Sequence, residues 1–243
     1  MIAGEPAVRR IEKKRVEELL RASDFSRNLA VWRSLPARKV INPLVSFLCS
    51  ADERLRWHAV TAAGLVTATL AEEDPESARV IVRRFLWQLN DESGGIGWGI
   101  PEALGESLAR SPLLAGEYAR LVLSFIKEDE NYLEHPPLLA GALWGLARLL
   151  QTRAHLLAES ESPLAAYLHH PDALFRALAL WGLGAVATAR TLPLLQRLST
   201  DASPVRLYRN ESFEETTVAD VARQAAAAVR TRLGLRTPPA ANE

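Results

Sequence analysis

Residues 175–187 read FRALALWGLGAVA, and this stretch contains the pattern from which most of the chain is built. It is rich in alanine and leucine, lacks proline, and places small residues where another helix can approach closely. Related stretches occupy residues 55–66, 96–108 and 138–149. One small residue in each copy aligns the four, and the successive separations are 41, 42 and 37 residues. The aligned residues are Gly64, Gly105, Ala147 and Gly184.

A period of roughly 40 residues is typical of two-helix repeats that stack into a solenoid. We therefore predict an all-α fold, a right-handed α-α superhelix of about five helix pairs. Counted from the aligned residue, positions −9, −5, −2 and −1 fall within a helical stripe about 100° wide, which we expect to be buried. At −5 and −1 the stripe comprises Ala59, Ile100, Ala142, Ala179, Ala63, Leu104, Leu146 and Leu183.

Four of the six tryptophans recur in the same register. Trp57 and Trp98 lie at position −7, while Trp144 and Trp181 lie at −3, one helical turn later and roughly opposite the buried stripe. In a stacked solenoid this second face is expected to line the concave surface, where exposed aromatic rings indicate a binding groove. Alternatively, the rings pack between repeats or under a loop.

Two carboxylates continue the face that carries Trp98. Glu102 and Glu106 follow it at intervals of one turn, and Arg148 occupies position +1 of the next copy. An aromatic ring beside carboxylates can hold a cationic group, and a buried carboxylate with a raised pKa can act as a general base. The alternative is that both glutamates are exposed and pair with Arg148 or Arg110. We expect contact with a ligand or partner here, and no catalytic residue.

The chain is predicted to form one repeat domain over residues 1–235. Its parts are capping helices at 1–35, four repeats over 36–187, and an irregular last repeat over 188–235. This last repeat carries an insertion at 201–217, in which VRLY at 205–208 indicates a short extended segment. Residues 236–243 are expected to form a disordered tail.

Composition argues against several classes of protein. Lys plus Arg and Asp plus Glu both number 29, and this zero net charge argues against nucleic-acid binding, which favours a basic excess. Cys49 is the single cysteine, so no internal disulfide can form, and we expect it in the core. Because no apolar stretch reaches 18 residues, we predict a soluble, cytoplasmic protein with no membrane contact.

No metal or cofactor motif is recognised either. The glycines at 94, 95, 97 and 99 fit neither GxGxxG nor GxxxxGK[ST], and the five histidines show no ligand spacing. We therefore predict no cofactor and no metal. Instead, the glycines should let the next helix start close to a neighbouring backbone.

Residues 170–184, HPDALFRALALWGLG, followed by ARTLPLLQRL at 189–198 and by Asp201, are similar to the HEAT-like repeats of the phycocyanobilin-lyase type. Arg56 and Arg176 match the arginine of that pattern, and Gly64 and Gly184 match its helix-end glycine. Tryptophan at −7 and −3 departs from the polar residues usual in the family. The resemblance implies a HEAT-like solenoid and says little about function.

The favoured hypothesis is a non-catalytic scaffold or adaptor that binds a protein or peptide partner in an aromatic-lined groove. Its predicted contact residues are Trp57, Trp98, Glu102, Glu106, Trp144, Arg148 and Trp181. One alternative, by likeness of fold alone, is a HEAT-like DNA glycosylase acting on alkylated bases, which would require a basic rim. Another, implied by the repeat resemblance, is a bilin lyase or a chaperone for cofactor insertion.

Overall fold

The computed structural model describes residues 5–89 and 97–235, with side chains from residue 12 onward. These residues form twelve α-helices and two β-strands. The helices are α1 (Glu5–Arg21), α2 (Ala30–Ser34), α3 (Ala37–Phe47), α4 (Glu53–Glu73), α5 (Pro75–Leu89), α6 (Ile100–Arg110), α7 (Pro112–Ser124), α8 (Pro136–Arg153), α9 (Glu161–Ala166), α10 (Ala173–Val186), α11 (Leu192–Arg197) and α12 (Val218–Leu233). The strands are β1 (Pro204–Arg209) and β2 (Ser212–Thr217). The predicted tail at 236–243 and the glycines Gly94 and Gly95 lie outside the described residues.

Five helices form a continuous inner layer. Helix α4 packs on α6, α6 on α8, α8 on α10 and α10 on α12, while α3, α5, α7, α9 and α11 pack against this layer from outside. Helices α1 and α2 contact the first pair. The fold is therefore an all-α solenoid of five helix pairs, from α3–α4 to α11–α12, as the repeat period predicts.

Local sequence sets where the inner helices begin. The side chains of Asp52, Asp172 and Thr217 each accept a backbone N–H in the first turn of α4, α10 and α12. Prolines stand in the first turns of α6 and α8, where the missing N–H costs nothing. Each inner helix therefore has a capping residue or a proline that favours its start.

The predicted buried stripe is confirmed at positions −5, −2 and −1, whereas at −9 Leu55 and Phe175 are buried, Leu138 is half-buried and Ile96 lies outside the described residues. Every residue at positions −5 and −1 is at most 2% exposed. The small residues allow the inner helices to touch, since a Cβ atom added to Gly105 would lie 2.2 Å from the Cα of Gly145. Helices α6 and α8 thus meet backbone to backbone, which only glycine at both positions permits.

The end of α3 corrects one prediction and confirms another. Cys49 is exposed and not part of the core, because α3 ends at Phe47 and its helical phase does not extend to residue 49. Gly99 has φ +71° and lies against Leu48, whose carbonyl oxygen would be 2.8 Å from an added Cβ. The glycine therefore lets α6 start close to the neighbouring backbone.

The insertion forms a β-hairpin, residues 204–217, in which β1 and β2 pair antiparallel. Its two-residue turn, Asn210 and Glu211, has φ values of 50° and 59°, as in the tight turns that match strand twist. At its base the Arg176 Nε donates to Asp201 at 2.9 Å, and at its tip the Ser26 hydroxyl donates to the Glu211 carbonyl at 3.2 Å. The hairpin thus crosses the inner layer from the fourth pair to the N-terminal segment.

None of the described helices is long and apolar enough to cross a membrane.

Candidate binding site on the inner face

Three of the predicted tryptophans meet on the inner face around one tyrosine of the hairpin. The ring of Tyr208 stacks on Trp57 at 4.7 Å between centroids, and the Trp57 and Trp144 centroids are 4.8 Å apart. Trp181 lies 5.9 Å from Trp144. These four side chains, from helices α4, α8 and α10 and from β1, are called the aromatic cluster below.

Polar contacts hold Tyr208 in place. The Trp144 indole N–H donates to the Tyr208 carbonyl at 2.8 Å, and the Tyr208 hydroxyl lies 3.1 Å from that of Thr61. Burial raises the pKa of Tyr208 above its usual value, so the phenol stays neutral. Because Tyr208 covers it, Trp144 is only 4% exposed. The predicted groove is therefore occupied in part by the protein's own hairpin.

Trp98 does not join the aromatic cluster. It lies in the turn before α6, is 38% exposed, and packs edge-on against His135 with centroids 5.3 Å apart. Helix α6 begins only at Ile100, after the left-handed Gly99. The prediction that Trp98 shares a helical stripe with Glu102 and Glu106 is wrong, because helical periodicity does not extend back through Gly99.

On one side of the aromatic cluster lies a polar cavity of about 470 Å³, called the polar pocket below. The rings of Trp144, Trp181 and Tyr208 form part of its wall. Its other lining residues are polar, and they are Thr61, Glu106, Arg148, Gln151, Arg209, Asn210, Glu211, Glu214 and Gln224. Aromatic faces beside charged groups and amides suit a ligand that carries both apolar and hydrogen-bonding parts.

Glu106 organises the charges of the polar pocket. It is 3% exposed, and its two carboxylate oxygens accept from Arg110 and, at 2.7 Å, from the Arg148 Nε. Arg110 also donates to Glu211 at the hairpin tip, at 3.0 Å. An added Cβ on Gly64 would overlap the Glu106 side chain, so glycine makes room for it. The sequence-based alternative that Glu106 pairs with these arginines is confirmed, but Glu106 is buried and the arginines are only partly exposed.

On the other side of the aromatic cluster lies a smaller cavity of about 210 Å³, called the Glu102 hollow below. Its walls are mostly apolar, with a charged mouth of Glu53, Arg56 and Arg206. The remaining lining residues are Trp57, Glu102, Pro137, Ala140, Gly141, Trp144, Leu174, Leu178, Leu207, Tyr208 and Phe213.

The Glu102 carboxylate is unusual in this setting. Its Oε2 atom is buried and has no hydrogen-bond partner among the described residues. Burial raises the pKa of Glu102 to about 7, against weaker opposing effects from its own backbone amide and from Arg56. The sequence-based alternative that Glu102 forms an ion pair is therefore wrong, because no arginine nitrogen of the described residues lies within bonding distance of it.

The hairpin supplies residues of the candidate site that are not among those predicted from the sequence. Tyr208 closes the aromatic cluster, and Arg209 pairs with Glu214 at the rim of the polar pocket. The extended segment predicted at 205–208 is confirmed as part of β1, with buried Val205 and Leu207 alternating with exposed Arg206. Nothing in that short pattern indicates which helices the strand covers.

Among the described residues, no three His, Cys, Asp or Glu side chains come together as potential metal ligands.

No family model and no curated protein matches this chain. Among solved structures, an engineered protein is 17% identical over 90% of this chain and 96% of its own length, with a TM-score of 0.45. A computationally designed armadillo repeat protein for modular peptide recognition is 19% identical over 88% of this chain and 98% of its own, with a TM-score of 0.44. These likenesses are loose and do not assign the repeats to the HEAT or phycocyanobilin-lyase type. The class of protein, a helical-repeat solenoid, follows from the packing of its own helices.

Proposed function

We propose that this protein is a non-catalytic, HEAT-like adaptor that holds a peptide segment of a partner protein in the polar pocket. One observation carries the proposal: the rings of Trp144, Trp181 and Tyr208 and the side chain of Arg148 converge on an open cavity. Tryptophan, tyrosine and arginine are the residues that most often anchor protein interfaces. The inner face of a solenoid is also the surface that repeat proteins commonly use for binding.

The hydrogen-bonding groups of the pocket suit a peptide. Gln151, Asn210 and Gln224 bring amide groups that can both donate and accept, as a peptide backbone requires. Arg148 bonds to Glu106 through Nε and, within the described part of the chain, through no other atom. Its remaining N–H groups are therefore available to a carbonyl or carboxylate of the ligand.

The charge of the inner face does not favour the glycosylase alternative. The two cavities together are lined by five glutamates and four arginines, counting three and two in the polar pocket and two and two in the Glu102 hollow. A surface that binds DNA needs an excess of basic residues to neutralise the phosphates. No feature of either cavity specifically favours the bilin-lyase alternative.

The proposal is tested by selecting peptides from a random display library on the wild-type protein and measuring their dissociation constants by calorimetry. We expect Trp181→Ala and Arg148→Ala each to weaken binding at least about tenfold, or roughly 1.4 kcal/mol, as truncation of an interface anchor does. Trp87→Ala is the matched control, because Trp87 is 69% exposed on the outer helix α5.

Binding that is equal in Trp181→Ala and Trp87→Ala would place the peptide elsewhere on the molecule. A selection that enriches no peptide would likewise contradict the proposed function. Both variants should keep the circular dichroism spectrum of the wild type, so that a loss of binding reports the pocket and not the fold.

A further inference from the structure

The Glu102 hollow is separate from the site proposed for peptide binding. Tyr208 and Trp144 line both cavities and form the wall between them. The polar pocket has its charges paired, whereas the hollow contains a buried carboxylate oxygen that accepts no hydrogen bond within the described part of the chain. A buried acceptor without a donor costs free energy in the empty protein, and a ligand that supplies the donor recovers it.

The position of Glu102 is set by the backbone of the neighbouring helix. An added Cβ on Gly141 would lie 2.6 Å from the Glu102 carboxylate, so the carboxylate rests directly against α8. A larger residue at position 141 would displace it. The glycine thus keeps the carboxylate inside the hollow.

The charges around the hollow favour a cation. Arg206 is paired with Glu53 and with Glu215, and Arg56 lies 3.9 Å from Glu53. The lining of the hollow is balanced, with Glu53 and ionised Glu102 against Arg56 and Arg206, and the exposed Glu215 outside the lining adds one negative charge by pairing with Arg206. The guanidinium groups at the mouth are therefore compensated, and the Glu102 charge is not.

The walls of the hollow favour a cation with an apolar stem. The rings of Trp57, Trp144, Tyr208 and Phe213 line it, and aromatic faces attract ammonium groups. Leucines of α10 complete the apolar surface. At about 210 Å³ the hollow has the volume of about seven liquid waters, which suits one side chain or one small amine and excludes a folded segment.

We propose that the Glu102 hollow binds the ammonium group of an unbranched alkyl amine or of a lysine side chain, with the Glu102 carboxylate as its counter-ion. The stem lies among the aromatic rings and the ammonium group donates to the unpartnered oxygen. This site does not depend on the polar pocket, so either proposal can fail without the other.

Binding at this site depends on pH in a defined direction. An ammonium ion requires ionised Glu102, whose pKa is about 7, while the alkyl ammonium itself stays protonated up to about pH 10. The other groups that face Glu102 are Glu53 and Arg56 on α4 and Arg206 and Tyr208 on β1; the lining residues of α8 and α10 carry no charge. Affinity should therefore rise as pH increases through 7.

The experiment uses three probes on the full chain: n-pentylammonium, Nα-acetyl-lysine methylamide, and its neutral counterpart Nα-acetyl-norleucine methylamide. Binding is measured by calorimetry and by the indole N–H signal of Trp57 at pH 5.5 and 8.5. We expect the ammonium probes to bind at least about tenfold more tightly at pH 8.5, because the ionised fraction of Glu102 rises about thirtyfold. The norleucine probe should not bind measurably.

Glu102→Gln keeps the shape of the side chain and removes its charge, so it should weaken both ammonium probes at least about tenfold and abolish the pH dependence. Glu134→Gln, at an exposed glutamate before α8, is the matched control and should change neither. Binding of n-pentylammonium alone would identify a free amine as the ligand, and binding of both probes a lysine side chain as well. Equal binding by Glu102→Gln and wild type, or by the norleucine and lysine probes, would overturn the proposal.

Discussion

The polar pocket and the Glu102 hollow lie on opposite sides of Trp144 and Tyr208. Each contains a buried carboxylate oxygen, but the carboxylate in the polar pocket is paired with arginines and the one in the hollow is not. Glu106 and Glu102 are one turn apart on α6. Glu106 is nearly inaccessible, at 3% exposure, and bonds to two arginines, whereas the Oε2 of Glu102 is buried without a hydrogen-bond partner in the described residues. The two sites differ because Arg110 and Arg148 lie one turn or one repeat beyond Glu106, while the α8 residues that line the hollow with Glu102, among them Gly141, carry no charge.

This contrast is between a buried charge that is paired and one that is not. A buried carboxylate with two guanidinium partners has its charge compensated, and removing it destabilises the native state because the partners are left unpaired. A buried carboxylate with none destabilises the native state, and such groups occur most often where a ligand binds or a proton moves. The same chemical change at the two glutamates should therefore have opposite effects.

Truncating Trp144, which together with Tyr208 separates the two cavities, should have the largest effect on stability. Trp144→Ala deletes a side chain that is 4% exposed, with its contacts to Trp57 and Trp181 and its hydrogen bond to the hairpin. We expect a loss of about 4 kcal/mol in the free energy of unfolding, as for other buried tryptophans. Urea unfolding measures it, with Trp87→Ala as a control that changes stability by less than about 0.5 kcal/mol. A loss below about 1 kcal/mol would mean that the wall does not hold the hairpin.

The next largest effect is expected at Glu102, and it is a gain in stability. Burial raises the pKa of this carboxyl from 4.5 to about 7, so the folded state holds the proton more tightly than the unfolded state does. Stability contributed by the protonated form is full below about pH 4.5 and is lost as pH rises to 7. Glu102→Gln avoids this loss and should be more stable than wild type by up to about 3 kcal/mol at pH 8.

This prediction is checked by the stability difference between Glu102→Gln and wild type, measured by urea unfolding at pH 8 and near pH 4.5. The two proteins should differ by less than about 0.5 kcal/mol at the lower pH, because the glutamate is then neutral in the folded state and only half ionised in the unfolded state. A difference that does not change with pH would show that the carboxylate is solvated, and the contrast with Glu106 would then fail.

Glu106→Gln makes the same substitution one turn along α6 and should destabilise the protein. It leaves Arg110 and Arg148 without their shared counter-ion, and these side chains are only 17% and 22% exposed. Breaking a buried pair costs several kcal/mol, and the partial exposure of the arginines reduces this to about 2 kcal/mol. At pH 8 the change in the free energy of unfolding should have the opposite sign to that of Glu102→Gln. Changes of the same sign at both glutamates would contradict the distinction between them.

The solenoid and its core were predictable because they depend on local periodicity. The residues at positions −5 and −1 of each copy follow the 3.6-residue repeat, and the same repeat places them in the core. The tryptophans of α4, α8 and α10 face the inner surface for the same reason. Periodicity does not predict the position of Trp98, because Gly99 has a positive φ and α6 begins only after it.

The packing of the hairpin on the inner face could not be predicted from sequence. Tyr208 contacts Trp57 and Thr61, about 150 positions earlier in the chain, and Arg206 pairs with the equally distant Glu53. No periodic pattern encodes contacts of this range. The difference between the two carboxylates also depends on them, because the hairpin creates the separate cavities.

The smallest effect on stability is expected at the hairpin tip, where Glu211 pairs with Arg110 of α6. Its carboxylate bonds to Arg110 at 3.0 Å, and its backbone has φ 59°, which costs a residue with a Cβ about 1 kcal/mol. Glu211→Ala removes the ion pair and keeps the strain, so it should destabilise by about 1 kcal/mol. Glu211→Gly removes both and should be close to neutral. Hydrogen exchange of the β1 amides measures local opening of the hairpin, and equal exchange in the two variants would mean that the turn is not strained.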